Sequence, residues 1–159
     1  MKWIVGAAAT AALIGLTASA ATAAQTANHT VTVQVNAINE LALTGGNVTL
    51  TISTATAGQQ PDSATNSTCT LAWTTNQANR KITVATNLAS PLFTLQVLAQ
   101  SVSGGTAAPQ VTLSTTAADF VTGVSKTVGT CTLGYTASAT AAQGTGSDVH
   151  IVTYTLTAG

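Results

Sequence analysis

Threonine alternating with aliphatic residues recurs along this chain: residues 30–35 read TVTVQV, residues 47–52 read NVTLTI and residues 153–157 read TYTLT. In an extended backbone successive side chains point to opposite faces, so each run has one apolar face and one hydroxyl face. The pattern predicts strands over residues 29–38, 47–53, 68–74, 81–86, 92–99, 110–114, 128–137 and 149–157. Gly, Pro, Asn and Ser clusters punctuate them, among them Thr44-Gly45-Gly46, the Pro61 loop and Ser90-Pro91. Strands of this length and spacing predict an antiparallel sandwich or barrel. Residues 75–80, rich in Asn and Gln, read as a hairpin connection between the Trp73 and Ile82 strands, and residues 117–122 as a helical turn or bend.

The inward phase of these runs predicts an aliphatic core that includes Val33, Val35, Leu50, Ile52, Leu71, Trp73, Ile82, Val84, Leu133, Tyr135 and Tyr154. Residues 1–24 are expected to stand outside it. Lys2 begins them, residues 3–16 are apolar and residues 17–24 are small, with Ala21-Thr22-Ala23 offering a small-x-small cleavage pattern. The apolar run is shorter than the roughly 20 residues a membrane span needs, so it reads as a secretory signal peptide. Residues 25–159 then form one β-domain of 135 residues, exported to the cell surface or beyond, with no second apolar stretch to span a membrane.

Charge is nearly absent. In residues 25–159 Arg80, Lys81 and Lys126 stand against Glu40, Asp62, Asp119 and Asp148, a net charge of −1. Nothing here could neutralise a phosphate backbone, which argues against nucleic acid as a partner. Low charge also removes the usual device that keeps a monomer apart from its neighbours.

The only cysteines, Cys69 and Cys131, lie in phase with Leu71-Trp73 and Leu133-Tyr135, so both are expected to face inward. In an exported chain two such cysteines predict a structural disulfide. Closing a loop of about 60 residues would contribute on the order of 4 kcal/mol in the chain-entropy model. No neighbouring histidines complete a metal site around them.

Catalysis needs convergent titratable groups, and the chain offers few. Glu40 is the sole glutamate, and Asp62, Asp119 and Asp148 fall at loops, bends or a strand start, ordinary places for carboxylates. His29 and His150 open the two terminal runs, where edge or solvent-facing positions are expected. The reading is therefore a protein that is not an enzyme and that needs no cofactor or metal.

Alternation near both ends of the mature chain carries one further implication. A sheet edge with unpaired N–H and C=O groups invites another chain to join it, and a strand that joins needs β-branched residues at every second position. Residues 30–43 (TVTVQVNAINELAL), TTNQANRKITVAT at residues 74–86 and the closing VHIVTYTLTAG together resemble subunits of chaperone–usher pili, in the branch whose subunits begin with a donor strand. That resemblance implies a single, incomplete immunoglobulin-like antiparallel sandwich of about seven or eight strands. It also implies a periplasmic chaperone as assembly partner and a homopolymer joined by strand exchange. Within residues 25–38, Val31, Val33, Val35 and Ile38 would then fill the groove of the next copy. The alternative is a self-contained secreted sandwich that binds a surface glycan or protein. An ice-binding face would need a fixed repeat to align its threonines, and none is present.

Overall fold

The computed structural model describes residues 25–159. The expected signal peptide lies outside the described residues. The chain divides into two compact units, Met1–Gln34 and Val35–Gly159. In the first, residues 25–34 carry no regular secondary structure and every one is exposed.

The second unit is an antiparallel β-sandwich. Its nine strands are β1 (Asn39–Thr44), β2 (Ala64–Thr75), β3 (Arg80–Thr86), β4 (Thr94–Ser103), β5 (Thr106–Ala107), β6 (Val111–Thr112), β7 (Ala118–Val124), β8 (Thr127–Ser138) and β9 (Val152–Ala158). One sheet has the order β1-β2-β8-β4-β6 and the other β5-β7-β3-β9. The predicted hairpin over residues 75–80 is instead a crossing between the sheets, since β2 and β3 belong to different layers. There Asn79 takes a left-handed φ of 54°.

Alternation explains most of the packing. On β2 the inner face is Cys69, Leu71, Trp73 and Thr75, all buried, and on β3 it is Ile82, Val84 and Thr86. On β8 Cys131, Leu133 and Tyr135 face the same core. At about 25 cal/mol per Å² of apolar surface these inward rows supply the main drive to fold. The two buried threonines are satisfied: Thr75 Oγ1 donates to Asn39 Oδ1 at 2.8 Å, and Thr86 Oγ1 lies 3.1 Å from His150 Nδ1. Gly129 is required by close packing, because a Cβ there would come within 2.3 Å of the Trp73 ring.

β7 departs from the helical turn expected at residues 117–122. It is a strand with two register shifts against β3, where Ile82 faces Val121 but Thr83 faces Asp119. The extra residue turns both Phe120 and Val121 inward, as a bulge does. Asp119 points outward and meets Lys81 Nζ at 2.9 Å. Both partners are well exposed, so the pair contributes little.

The expected disulfide is corrected. Cys69 and Cys131 are both buried and both free thiols. The ladder pairs Cys69 with Leu133 and Leu71 with Cys131, which makes the cysteines diagonal neighbours rather than direct partners. Diagonal positions stand about 7–8 Å apart, beyond the usual Cα separation of a bridged pair.

Among the described residues, two predicted strands, 29–38 and 47–53, are not part of either sheet. Val33 and Val35, expected in the core, are 84% and 72% exposed.

Candidate functional site

One opening in the sandwich is a groove of about 1070 Å³. One rim is residues 46–55, the other residues 144–152, and the floor is inner-face residues of the five-stranded sheet, among them Cys69, Leu95 and Tyr135. How the first rim forms is legible in the backbone. β1 stays paired with β2 as far as Thr44 opposite Thr70. Gly45 then adopts a φ of 107°, so close to β2 that a Cβ would meet Cys69 Cα at 2.7 Å. The ladder ends at this glycine, which only a residue without a side chain can occupy.

Beyond it, Val48, Leu50 and Ile52 are half-buried while Asn47, Thr49, Thr51 and Ser53 are exposed. Residues 47–53 thus keep a strand's alternation. Among the described residues, none of their backbone groups bonds to another main-chain group.

The opposite rim leads into β9, which pairs with β3 on one side only and is the edge of its sheet. Val152, Tyr154 and Leu156, the inward residues of β9, are half-buried where their counterparts on β3 are fully covered. Just before them Val149 and Ile151 are 77% and 63% exposed. Here Asn87 holds the main chain: Ile151 N–H donates to Asn87 Oδ1 at 2.8 Å and Asn87 N–H to the Ile151 carbonyl at 3.2 Å. Between the two rims the groove is lined by half-buried Phe93, Leu95 and Ala137, with Cys69 and Tyr135 buried beneath.

Beside the groove a polar contact joins the layers. Tyr135 Oη on β8 and Tyr154 Oη on β9 are 2.9 Å apart, and the Phe120 and Tyr154 rings have centroids 5.1 Å apart at a 54° tilt. Burial raises the Tyr135 phenol above its ordinary range, partly offset by the bond from Tyr154. Burial, then the neighbouring Tyr135, raises Tyr154 further. Burial likewise pushes the Cys131 thiol up to about 11, against a lowering hydrogen bond with the Leu71 backbone.

The structure disperses the titratable residues. Asp148 Oδ2 accepts the Phe93 N–H at 2.8 Å, and Asp62 Oδ2 accepts the Thr54 hydroxyl at 2.9 Å. Glu40 is exposed on β1 and His29 is exposed in the first unit. Among the described residues no group of three His, Cys, Asp or Glu could hold a metal ion. Nor is any helix there long and apolar enough to cross a membrane. Trp73, the aromatic that a glycan-binding surface would need exposed, is fully buried. A second, smaller depression of about 490 Å³ lies around Thr65, Asn66, Gln100 and Gly134.

Val31, Val33, Val35 and Ile38 are exposed at 71%, 84%, 72% and 40%. The rims themselves, 47–53 and 144–152, were not foreseeable as a site. Their only signal was alternation, in 47–53 and at the start of the 149–157 run.

The fold thus defines an antiparallel β-sandwich with a groove of about 1070 Å³. No protein-family model matches the chain, and no curated protein or solved structure matches it.

Proposed function

We propose that this protein is a structural subunit of an extracellular filament or surface layer, joined to its neighbours by strand complementation. Residues 30–35 of one copy enter the groove between residues 47–53 and 148–152 of the next. The observation that carries this reading is the alternating segment 47–53, which among the described residues bonds to no other main chain, beside the half-buried apolar side chains of Phe93 and Leu95. Unpaired extended segments are what an added strand bonds to. The same chain supplies a matching strand, with valines at 31, 33 and 35 left exposed.

Dimensions agree. Residues 47–53 extend over about 23 Å and the six residues of TVTVQV over about 20 Å, at roughly 3.3 Å per residue. Every second side chain of the incoming strand would cover the floor, and the others would present threonine to solvent. Low charge suits such a joint, because neither partner carries a like-charge barrier. A periplasmic chaperone would shield the groove until assembly, and export would depend on residues 1–24.

Negative-stain microscopy of purified residues 25–159 tests the reading. Fibres are expected, and excess of a peptide copying residues 28–40 should shorten or abolish them. A thermally stable monomer that ignores the peptide would falsify the proposal.

A further inference from the structure

Asn76 grips the chain that leads into the proposed donor strand at residues 36–38. Asn76, just after β2, accepts the Ile38 N–H on Oδ1 at 2.9 Å and donates from Nδ2 to the Asn36 carbonyl at 2.7 Å. Its own N–H donates to the Ile38 carbonyl at 3.3 Å. A carboxamide used in this way mimics a peptide unit, so the β1–β2 ladder continues past Asn39 for a further three residues without a strand to pair with. Neighbouring bonds hold the carboxamide in turn. Gln77 Nε2 donates to Asn76 Oδ1 at 2.9 Å, and Gln77 N–H donates to Thr75 Oγ1 at 3.0 Å. Thr75 itself is buried and bonded to Asn39.

All of these bonds to residues 36–38 are exposed. Water would satisfy the same backbone groups if Asn76 were absent, so folding gains little from them. What they do is order the segment. The clamp ends at Asn36, and the exposed alternation of Val35, Val33 and Val31 begins at the next residue.

The clamp and the groove also lie at opposite ends of β1: residue 39 pairs with Thr75 beside Asn76, whereas Thr44 leads into Gly45 and the groove rim. A subunit that gives from one end and receives beyond the other makes a heterologous contact, which extends as a filament rather than closing as a two-fold dimer.

We propose that Asn76 is a positioning residue for strand donation: it fixes the root of the arm, residues 36–38, so that each subunit presents its donor from one defined point and the joint between subunits is stiff. This rests on the strand-exchange reading above and concerns the giving end of the joint, not the groove.

The test compares the wild type, Asn76→Ala and Asn76→Asp as full chains. Ala removes both side-chain bonds. Asp keeps an acceptor for the Ile38 N–H but sets a carboxylate oxygen against the Asn36 carbonyl. Three readouts separate the roles: anisotropy of a labelled peptide copying residues 28–40, amide exchange at Ile38, and filament persistence length by electron microscopy. Peptide affinity is expected to stay within about twofold in both variants, because the groove is distant from the clamp. Exchange at Ile38 should rise about tenfold in Asn76→Ala and less in Asn76→Asp. Filaments of both variants should be more flexible, with persistence length down about threefold as the root becomes a loose linker.

Variant filaments as stiff as the wild type, with peptide binding intact, overturn the clamp and leave strand exchange standing. A wild type that binds no peptide and forms no filament overturns strand exchange, and the clamp's role falls with it.

Discussion

Tyr135 and Tyr154 meet hydroxyl to hydroxyl at 2.9 Å, one from each sheet, beside the floor of the open groove. Each phenol is the other's hydrogen-bond partner in a setting that burial has made poor in water. Removing one hydroxyl leaves the other unsatisfied, a loss of about 1–3 kcal/mol. Tyr135→Phe and Tyr154→Phe are each expected to lower stability by that amount in urea denaturation. The double variant should cost less than the sum, since it removes both partners together. Additive losses would show that the hydroxyls do not depend on one another.

Alkali should weaken the sandwich through a buried thiol. Cys131 is raised from 9.0 to about 11 by burial. Between those values the unfolded chain releases the proton while the folded chain keeps it, so the unfolded state binds fewer protons and stability falls as pH rises. The contribution is complete below pH 9 and is lost as pH climbs through about 11. Both tyrosines are raised too, so their contribution begins to fall above the ordinary phenol value of about 10. Cys131→Ala is expected to flatten the decline between pH 9 and 11 in denaturation curves, and Cys69→Ala serves as the comparison. The premise is checked first: a thiol reagent should find no reactive cysteine in the folded protein and both once denaturant is added. Intact mass showing two hydrogens fewer would mean that the strands shift to bridge the diagonal pair.

Gly129 supports Trp73 through the absence of a side chain. A Cβ would lie 2.3 Å from the indole and 2.5 Å from the Ser103 carbonyl, neither of which is a flexible chain end. Gly129→Ala is therefore expected to destabilise by about 1–3 kcal/mol, the ordinary range for overpacking a core. Tryptophan fluorescence should report the displaced ring. An unchanged melting temperature and spectrum would show that the strands move apart without resistance.

Alternation was sufficient to place β2, β3, β8 and β9, because each has one covered face and keeps the two-residue period. It failed at β7 for a definite reason. Bulges put Phe120 and Val121 on the same side, so the segment no longer reads as a strand. It also could not tell a paired run from an unpaired one. Residues 30–35 and 47–53 alternate as the true strands do, yet among the described residues neither is part of a sheet. Strand propensity describes a side chain that suits a pleated surface, and the partner is a tertiary fact. For that reason the alternation of Val31, Val33 and Val35 could be read from sequence, and the groove could not. The disulfide was expected in error for the same reason, since inward phase is readable along a strand but the relative register of two strands is not.

The donor valines give the most direct measure of the proposed joint. Val31, Val33 and Val35 are exposed in the free subunit, so their substitution should leave its stability within about 0.5 kcal/mol. Burial of a valine in a groove is worth about 1.5 kcal/mol or more, close to tenfold in affinity. Val33→Thr, which keeps the shape but brings a hydroxyl to the apolar floor, is expected to weaken binding of a residue 28–40 peptide by about tenfold. Val33→Asp should abolish it. Thr32→Ser, on the opposite face, should change little, because a side chain facing solvent loses nothing on a one-methyl truncation. This contrast between faces is the decisive feature: a strand inserted with alternate side chains inward must discriminate residues 31, 33 and 35 from residues 30, 32 and 34. Isothermal titration across the series reads it. Equal effects on both faces would mean that the segment associates by general hydrophobic contact, and the strand-exchange joint would then have to be abandoned.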